Sequence, residues 1–245
     1  MQLCDMIPRR RSVRSYLPDA VDAATLAGME AFLAGVKPLL PGAEPVWRLL
    51  PTEYATYLQK WRNPQFLAFY VPEGAEEDGL VNVGYMYQQL DLSLQSQGLG
   101  TCWVGLGWPD AKKAPPPAGM KLAVMMAFGH PDGKEPLREG AAAFAKRRAP
   151  EDIADRPDDR LEVVRVAPSA TNSQPWYFTH EGDALHVHCV VHGPIKKRML
   201  GRMNRIDMGI ALAHLYVAWP GSFRFARLDG VAVPEGYSYV GTVTL

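Results

Sequence analysis

Apolar residues recur at helical spacing in three long stretches of the chain. Between Val21 and Lys37 they fall at Leu26, Met29, Leu33 and Val36 before "LLPGAEP" breaks the period, which predicts an amphipathic helix followed by a loop. Between Asp78 and Gln97, Val83, Met86, Tyr87, Leu90 and Leu94 step by three and four, while Gln88, Gln89, Asp91 and Gln95 face elsewhere. Gly98 and Gly100 supply the stop. A third helix is predicted from Pro194, with Met199, Met203, Ile206, Ile210, Ala213 and Val217 as its stripe. Its second half, "DMGIALAHLYVAW", is apolar nearly all round and belongs inside the protein. A short helix is predicted over 158–166.

Other apolar runs are too short for buried helices. "FLAFYVP" (66–72), "TCWVGLG" (101–107) and "KLAVMMAFG" (121–129) read as buried strands, the last following a proline run at 115–117 that no helix or central strand tolerates. In "QPWYFTHEGDALHVHCVV" two β-rich runs flank "EGDA" and predict a hairpin. "SFRFARL" and "YSYVGTVTL" close the chain as strands. Helices and strands mix, so the expected class is α+β. The polar, proline-rich segment 130–159 reads as a crossing between halves, giving expected domains of 1–150 and 151–245. The two parts show no apparent repeat in their wording.

With 245 residues, 47% of them apolar, the chain can bury one large core or two modest ones. Its 26 basic and 26 acidic residues cancel, which argues against general nucleic-acid binding. No apolar run approaches the ~18–20 residues of a membrane span, and the start lacks the apolar stretch of a signal peptide. Asp5 and Asp19 bracket the arginines and weigh against a transit peptide. Cys4, Cys102 and Cys189 are too few and too scattered for a disulfide framework or a four-thiolate metal site, which fits a reducing cytoplasm.

Candidate chemistry sits in two distant segments. "RRRSVRSY" (9–16) clusters Arg10, Arg11, Ser12 and Arg14, whose forked guanidinium donors and hydroxyl suit one terminal phosphate; the simpler reading is a solvated basic surface. "APSATNSQPW" (167–176) packs small and hydroxyl side chains between two prolines, with Asn172 and Gln174 offering paired donors and acceptors. Such a loop matches a flat heteroaromatic ring with carbonyl and N–H edges, or is only a rigid Asx-type turn.

Together with "GLGTCWVGLG" (98–107), these segments resemble the three signatures of the FMN-dependent nitroreductase family. In typical members the serine, asparagine and "QPW" segment follows soon after the arginines; here about 150 residues intervene. The arrangement is similar to the divergent branch labelled putative TM nitroreductases, with two related domains in one chain that resemble an intertwined dimer fused into one polypeptide. The resemblance implies a nitroreductase-like α+β fold in which the second domain supplies the flavin-ring loop. It implies that Arg10, Arg11, Ser12 and Arg14 hold the FMN phosphate and ribityl chain, with Lys146 and Arg148 of "AKRRAP" closing the same pocket. It places Pro168, Ser169, Ala170 and Asn172 along the isoalloxazine, Gly105 and Leu106 near its N5 edge, and Lys60 at its pyrimidine edge. NADH or NADPH is the implied donor, and a small aromatic or quinone-type molecule the implied acceptor. The alternative is an FMN-binding protein of the same fold without turnover. No side chain is assigned as acid, base or nucleophile, because the cofactor carries the chemistry. No metal, nucleic acid or membrane partner is expected, and the chain is a pseudo-dimeric monomer or a homodimer.

Four other signals have plainer readings. His186 and His188 share one strand face, a spacing some metal sites use and a polar strand face also shows. Cys102 sits in an apolar run, where an inert buried thiol is usual. "KKRMLGRMNR" (196–205) is a solvated helix face or an entry for an anionic dinucleotide. Asp207 and His214, flanking apolar helix, need partners if buried, and a satisfied core network is favoured over catalysis.

Overall fold

In the computed structural model, which describes residues 2–245 apart from the side chains of 197–199, a short α1 (Leu3–Met6) leads through the arginine segment to α2 (Ala23–Gly35). Asp22 caps α2, its carboxylate accepting from Thr25 N at 2.8 Å. Met199, Lys197 and Arg198 of the predicted stripe and basic run have side chains outside the described residues.

Four antiparallel strands follow: β1 (Val46–Leu50), β3 (Gln65–Pro72), β4 (Gly100–Val104) and β6 (Met120–Gly129), in the order β1-β3-β6-β4. Between them run β2 (Ala55–Tyr57), the 21-residue helix α3 (Glu76–Ser96) and β5 (Gly107–Pro109). Strand β3 reads as an unbroken apolar run because both faces are covered. Leu67, Phe69 and Val71 pack with α3, whereas Phe66, Ala68 and Tyr70 join a second cluster under the β2–β5 ribbon.

Residues 130–158 carry only short 3-10 turns before α4 (Glu162–Arg165). Strands β7 (Trp176–Glu181) and β8 (Ala184–Val190) form the predicted hairpin, then come α5 (Pro194–Ala218), β9 (Arg224–Ala226) and β10 (Tyr237–Thr244). Their order, β7-β8-β10-β9, repeats that of the first sheet: β1, β3, β4 and β6 correspond to β7, β8, β9 and β10, and α3 to α5. The sequence missed β1, β2 and β5, which are short and largely exposed and so carry little apolar signal.

The two long helices meet at two glycines. A Cβ on Gly84 would lie 1.9 Å from Ile206 O, and one on Gly209 would lie 2.0 Å from Val81 O. The contact is reciprocal, so "VNVG" (81–84) and "IDMG" (206–209) are structural counterparts. One apolar cluster runs through both helices and both sheets, including Leu67, Leu90, Leu94, Trp176, Val187, Leu212 and Leu215.

Helix α3 differs from its sequence reading in one respect: its polar face is buried as well. Gln88, Gln89, Asp91 and Gln95 are all at most 5% exposed. Their partners are what makes this tolerable. Asp91 accepts from Gln88 Nε2 at 2.8 Å, from Gln95 Nε2 at 2.9 Å and from the Thr101 hydroxyl, and its Oδ2 lies 2.9 Å from Arg10 Nε. His214 completes the network. Burial holds its imidazole neutral, down to about 4; Nδ1 donates to Val163 O at 2.7 Å and Nε2 accepts from Gln88 Nε2 at 3.2 Å.

Candidate functional site

A cavity of about 380 Å³ opens where the arginine segment, β4 and the loop after it meet the 168–171 loop and the first half of α5. That size lies within the roughly 300–1,000 Å³ of small-molecule sites. The structure brings Ser12, Arg14, Gly105, Leu106, Pro168, Ser169 and Ala170 to its wall. A larger hollow of about 480 Å³, bounded by Pro18, Leu49, Pro51, Asn63, Pro64 and Gln65, has no charged residue in its lining and lies apart from these groups.

The other expected residues stand elsewhere. Arg10 is 1% exposed and faces Asp91, with Nη2 3.2 Å from Ser12 Oγ, so it supports the cavity from behind. Arg11 is half-buried: its N–H donates to Gln95 Oε1 at 2.9 Å and Nη1 reaches Pro136 O. Lys60 is exposed, and its neighbour Gln59 lines the cavity instead. Lys146 is exposed, and its carbonyl accepts from Asn172 Nδ2 at 2.8 Å. The Arg148 guanidinium is tied to the carbonyls of Gln174 and Asp152. Asn172 turns away from the cavity, its Oδ1 accepting from Arg147 Nη1 at 2.7 Å.

Arg147 is therefore the cation of "KRR" that the fold draws inward. Burial first, then Arg138 and Arg10 nearby, push its guanidinium down to about 10. Arg138 is lowered likewise by burial, Arg10 and Arg11. Arg10, Arg11, Arg138 and Arg147 thus influence one another behind Ser12 without entering the cavity lining, and Arg147, whose Nη1 and Nη2 donate to Asn172 Oδ1 and Val166 O, keeps a buried Nε without a hydrogen-bond partner. A buried orphan donor among like charges is what a phosphate would satisfy. Gln59 Oε1, at the cavity wall, is a second buried atom without a partner.

The 168–174 loop is held under strain. Among the described residues five non-glycines have positive φ, and four of them are Lys146, Thr171, Asn172 and Gln174, the loop and the segment that clamps it. Such backbone costs of order 1–3 kcal/mol per residue and persists where neighbours over-determine it. Here the clamps are Gln174 Oε1 accepting from Arg148 N at 2.8 Å, Ser169 Oγ accepting from Gln174 N at 2.9 Å, and Asp207 Oδ1 accepting from Ala170 N at 3.0 Å. The remaining wall is apolar, with Met203, Ile206 and Ile210 from α5 and Trp103 from β4, plus the buried Cys102 thiol, which burial pushes up.

The first half contains a counterpart of this loop. "VKPLLPGAEPVW" (36–47) follows the pattern of "VAPSATNSQPWY" (166–177), with Leu39 and Leu40 where Ser169 and Ala170 stand. Asn82, the counterpart of Asp207, accepts from Leu39 N and Leu40 N at 3.0 and 2.9 Å. The surroundings are filled. Asp78, the counterpart of Met203, bonds Arg227 at 2.6 and 3.0 Å, and Tyr85, the counterpart of Ile210, packs against Tyr216 and Phe223. These paired segments were the sequence signal for Asp207, which no motif singled out for the pocket.

A duplicated α+β unit with a pocket shared between its halves defines a protein of the nitroreductase-like class. Comparison gives the particular family: the chain belongs to the "Putative TM nitroreductase" family, whose model matches residues 2–219. It is similar in fold to a "putative nitroreductase" from Thermotoga maritima MSB8, at 21% identity and a TM-score of 0.66, covering 99% of this chain and 92% of that one. A "nitroreductase family protein" from Clostridium novyi NT is 15% identical, with a TM-score of 0.46 and coverage of 54% and 87%. An "FMN-dependent Nitroreductase" from Clostridium difficile R20291 is 14% identical, with a TM-score of 0.45 and coverage of 59% and 96%. No curated protein matches the chain. Among the described residues no helix is long and apolar enough to cross a membrane, and no cluster of three or more acidic, histidine or cysteine side chains is placed to hold a metal. His186 and His188 are buried on β8 and bond Thr242 and Thr179 at 2.8 and 2.9 Å.

Proposed function

We propose that the chain is an FMN-dependent oxidoreductase that takes electrons from NADH or NADPH and passes them to a small aromatic or quinone-type acceptor. The observation that carries this reading is the cavity whose walls join the arginine segment of the first half to the strained loop of the second. The residues present fit FMN: Arg14 and Ser12 bring a cation and a hydroxyl to the cavity wall, Arg147 with its orphan donor stands behind Arg10, and the small side chains of Pro168, Ser169 and Ala170 leave room for a ring. When bound, FMN supplies the centre that accepts and returns an electron pair.

The chain's own residues do the rest. Arg14 and Ser12 would bind the phosphate, with Arg147 and Arg138 adding positive charge from behind Arg10. The loop 168–171 would orient the ring, and Gln59 Oε1 would accept from an N–H edge. Leu106, Met203, Ile206 and Ile210 would exclude water. The chain would act as two fused units, 1–150 and 151–245, and would work as a monomer or dimer in a reducing cytoplasm, in keeping with its three free cysteines.

The test is spectroscopic. Protein reconstituted with FMN and mixed anaerobically with NADH or NADPH is expected to lose its yellow flavin absorbance, which returns on adding a quinone. Stable colour would identify a binding protein without turnover. A charged hydrogen bond contributes about 1.5–3 kcal/mol, so Arg14→Ala is expected to weaken FMN binding roughly 10- to 150-fold in a fluorescence-quenching titration.

A further inference from the structure

Asp207 stands out because the molecule contains its own control. Asn82, at the equivalent place on α3, anchors the equivalent loop through its amide: Oδ1 accepts from two N–H groups, and Nδ2 donates to Leu40 O and Ala43 O at 2.7 and 2.9 Å. Anchoring therefore needs no carboxyl. Asp207 performs the same task with Oδ1 alone, taking Ala170 N. Its Oδ2 has only the Ser173 hydroxyl, 3.4 Å away, and that hydroxyl lies equally near Asn204 Oδ1. Among the described residues no cation pairs with it. Asp207 is 3% exposed and is one of the residues lining the cavity, whereas its counterpart faces a filled space.

Burial pushes Asp207 up to about 8, against the hydrogen bonds from Ala170 N and Ser173, which favours the protonated carboxyl. The groups facing it agree with this. The loop offers only Ser169, Ala170 and Ser173, β8 offers the Cys189 thiol, which burial pushes up to about 11, and the helix itself offers Asn204. Arg205 is turned to Glu77 at 3.0 Å.

We propose, resting on the flavin reading above, that Asp207 Oδ2 is the proton donor for the acceptor reduced in this cavity. Two-electron reduction of a quinone-type acceptor takes one hydride equivalent, originating in the nicotinamide dinucleotide, and one proton. The O–H bond of Asp207 breaks as a hydroxyl O–H forms on the acceptor, no electrons leave the carboxyl, and the resulting carboxylate is reprotonated from water before the next cycle.

Asp207→Asn is the variant of choice, because Asn82 shows that an amide holds such a loop. General acid catalysis contributes about 10²–10⁴-fold. Asp207→Asn is expected to slow reoxidation by a quinone about 100-fold, a far larger effect than its effect on FMN affinity or on NAD(P)H bleaching. The slowed step should also lose its decline above about pH 8. Independently of any flavin, infrared spectra of the apoprotein at pH 7 should show a protonated-carboxyl band absent from Asp207→Asn. The proton is held in the folded chain and lost from the unfolded one above about pH 4, so apoprotein stability should fall as pH rises from there to about 8, and this slope should vanish in the variant. Unchanged reoxidation, a missing band, or equal losses of FMN affinity in Asp207→Asn and Asp207→Ala would each overturn the proposal. Failure of the wild-type protein to bind FMN would instead overturn the functional reading, whatever the infrared result.

Discussion

Gly84→Ala and Gly209→Ala are each expected to destabilise the protein by about 3 kcal/mol or more, at the upper end of overpacking effects. The added methyl would meet backbone at 1.9 and 2.0 Å, and a carbonyl cannot swing aside as a side chain can, so the two longest helices must part. For a chain of this length that corresponds to a fall in Tm of roughly 6–12 °C. Gly28→Ala in α2, with nothing within 4 Å, is the control and is expected to raise stability by up to about 1 kcal/mol. Because α5 carries part of the cavity wall and packs on α3, the two variants should also lose FMN binding before they lose far-ultraviolet helix signal. A Tm change below about 2 °C would show that the close helix crossing is wrong.

Asp91→Ala is expected to be equally severe, about 3–5 kcal/mol in denaturant unfolding. It leaves Arg10, 1% exposed, as a buried charge without a counterion, and strips Gln88, Gln95 and Thr101 of their shared acceptor. Burying an ion pair is itself costly, so the double replacement Arg10→Met with Asp91→Leu should recover much of the loss. That recovery would mark Arg10 as a supporting residue of the cavity. A double variant as unstable as Asp91→Ala would show instead that the network as a whole holds α3.

Much of the architecture was legible because long helices and doubly covered strands advertise themselves. α2, α3 and α5 follow the 3.6 period or its saturation, and β3 and β6 are apolar on both faces. The polar side of α3 was misleading for a physical reason: Gln88, Asp91 and Gln95 look solvent-facing until a partner such as His214, 126 residues from Gln88, satisfies them. At the site, residue type was more legible than direction. "KRR" announced a cationic segment, yet which of Lys146, Arg147 and Arg148 turns inward depends on the left-handed backbone at Lys146 and the clamp from Gln174 and Asn172. Lys60 and Gln59 differ in the same way, by which of two neighbours the turn after β2 aims at the cavity. The repeat of the two halves was hidden because it survives in few letters, Val-Asn-Val-Gly against Ile-Asp-Met-Gly and two proline-bounded loops, while their polar content has diverged.

That divergence bears on the central claim, one FMN site built from both halves. The counterpart loop carries Leu39 and Leu40, and its surroundings are closed by the Asp78–Arg227 pair and by Tyr85 with Phe223. Titrating apoprotein with FMN, followed by flavin fluorescence and by mass of the complex, tests this most directly. The expected result is one FMN per chain, with binding weakened at least tenfold both by Arg14→Ala in the first half and by Ala170→Leu, which copies Leu40, in the second. Two FMN per chain, none, or affinity untouched by either replacement would contradict a single site shared between the halves.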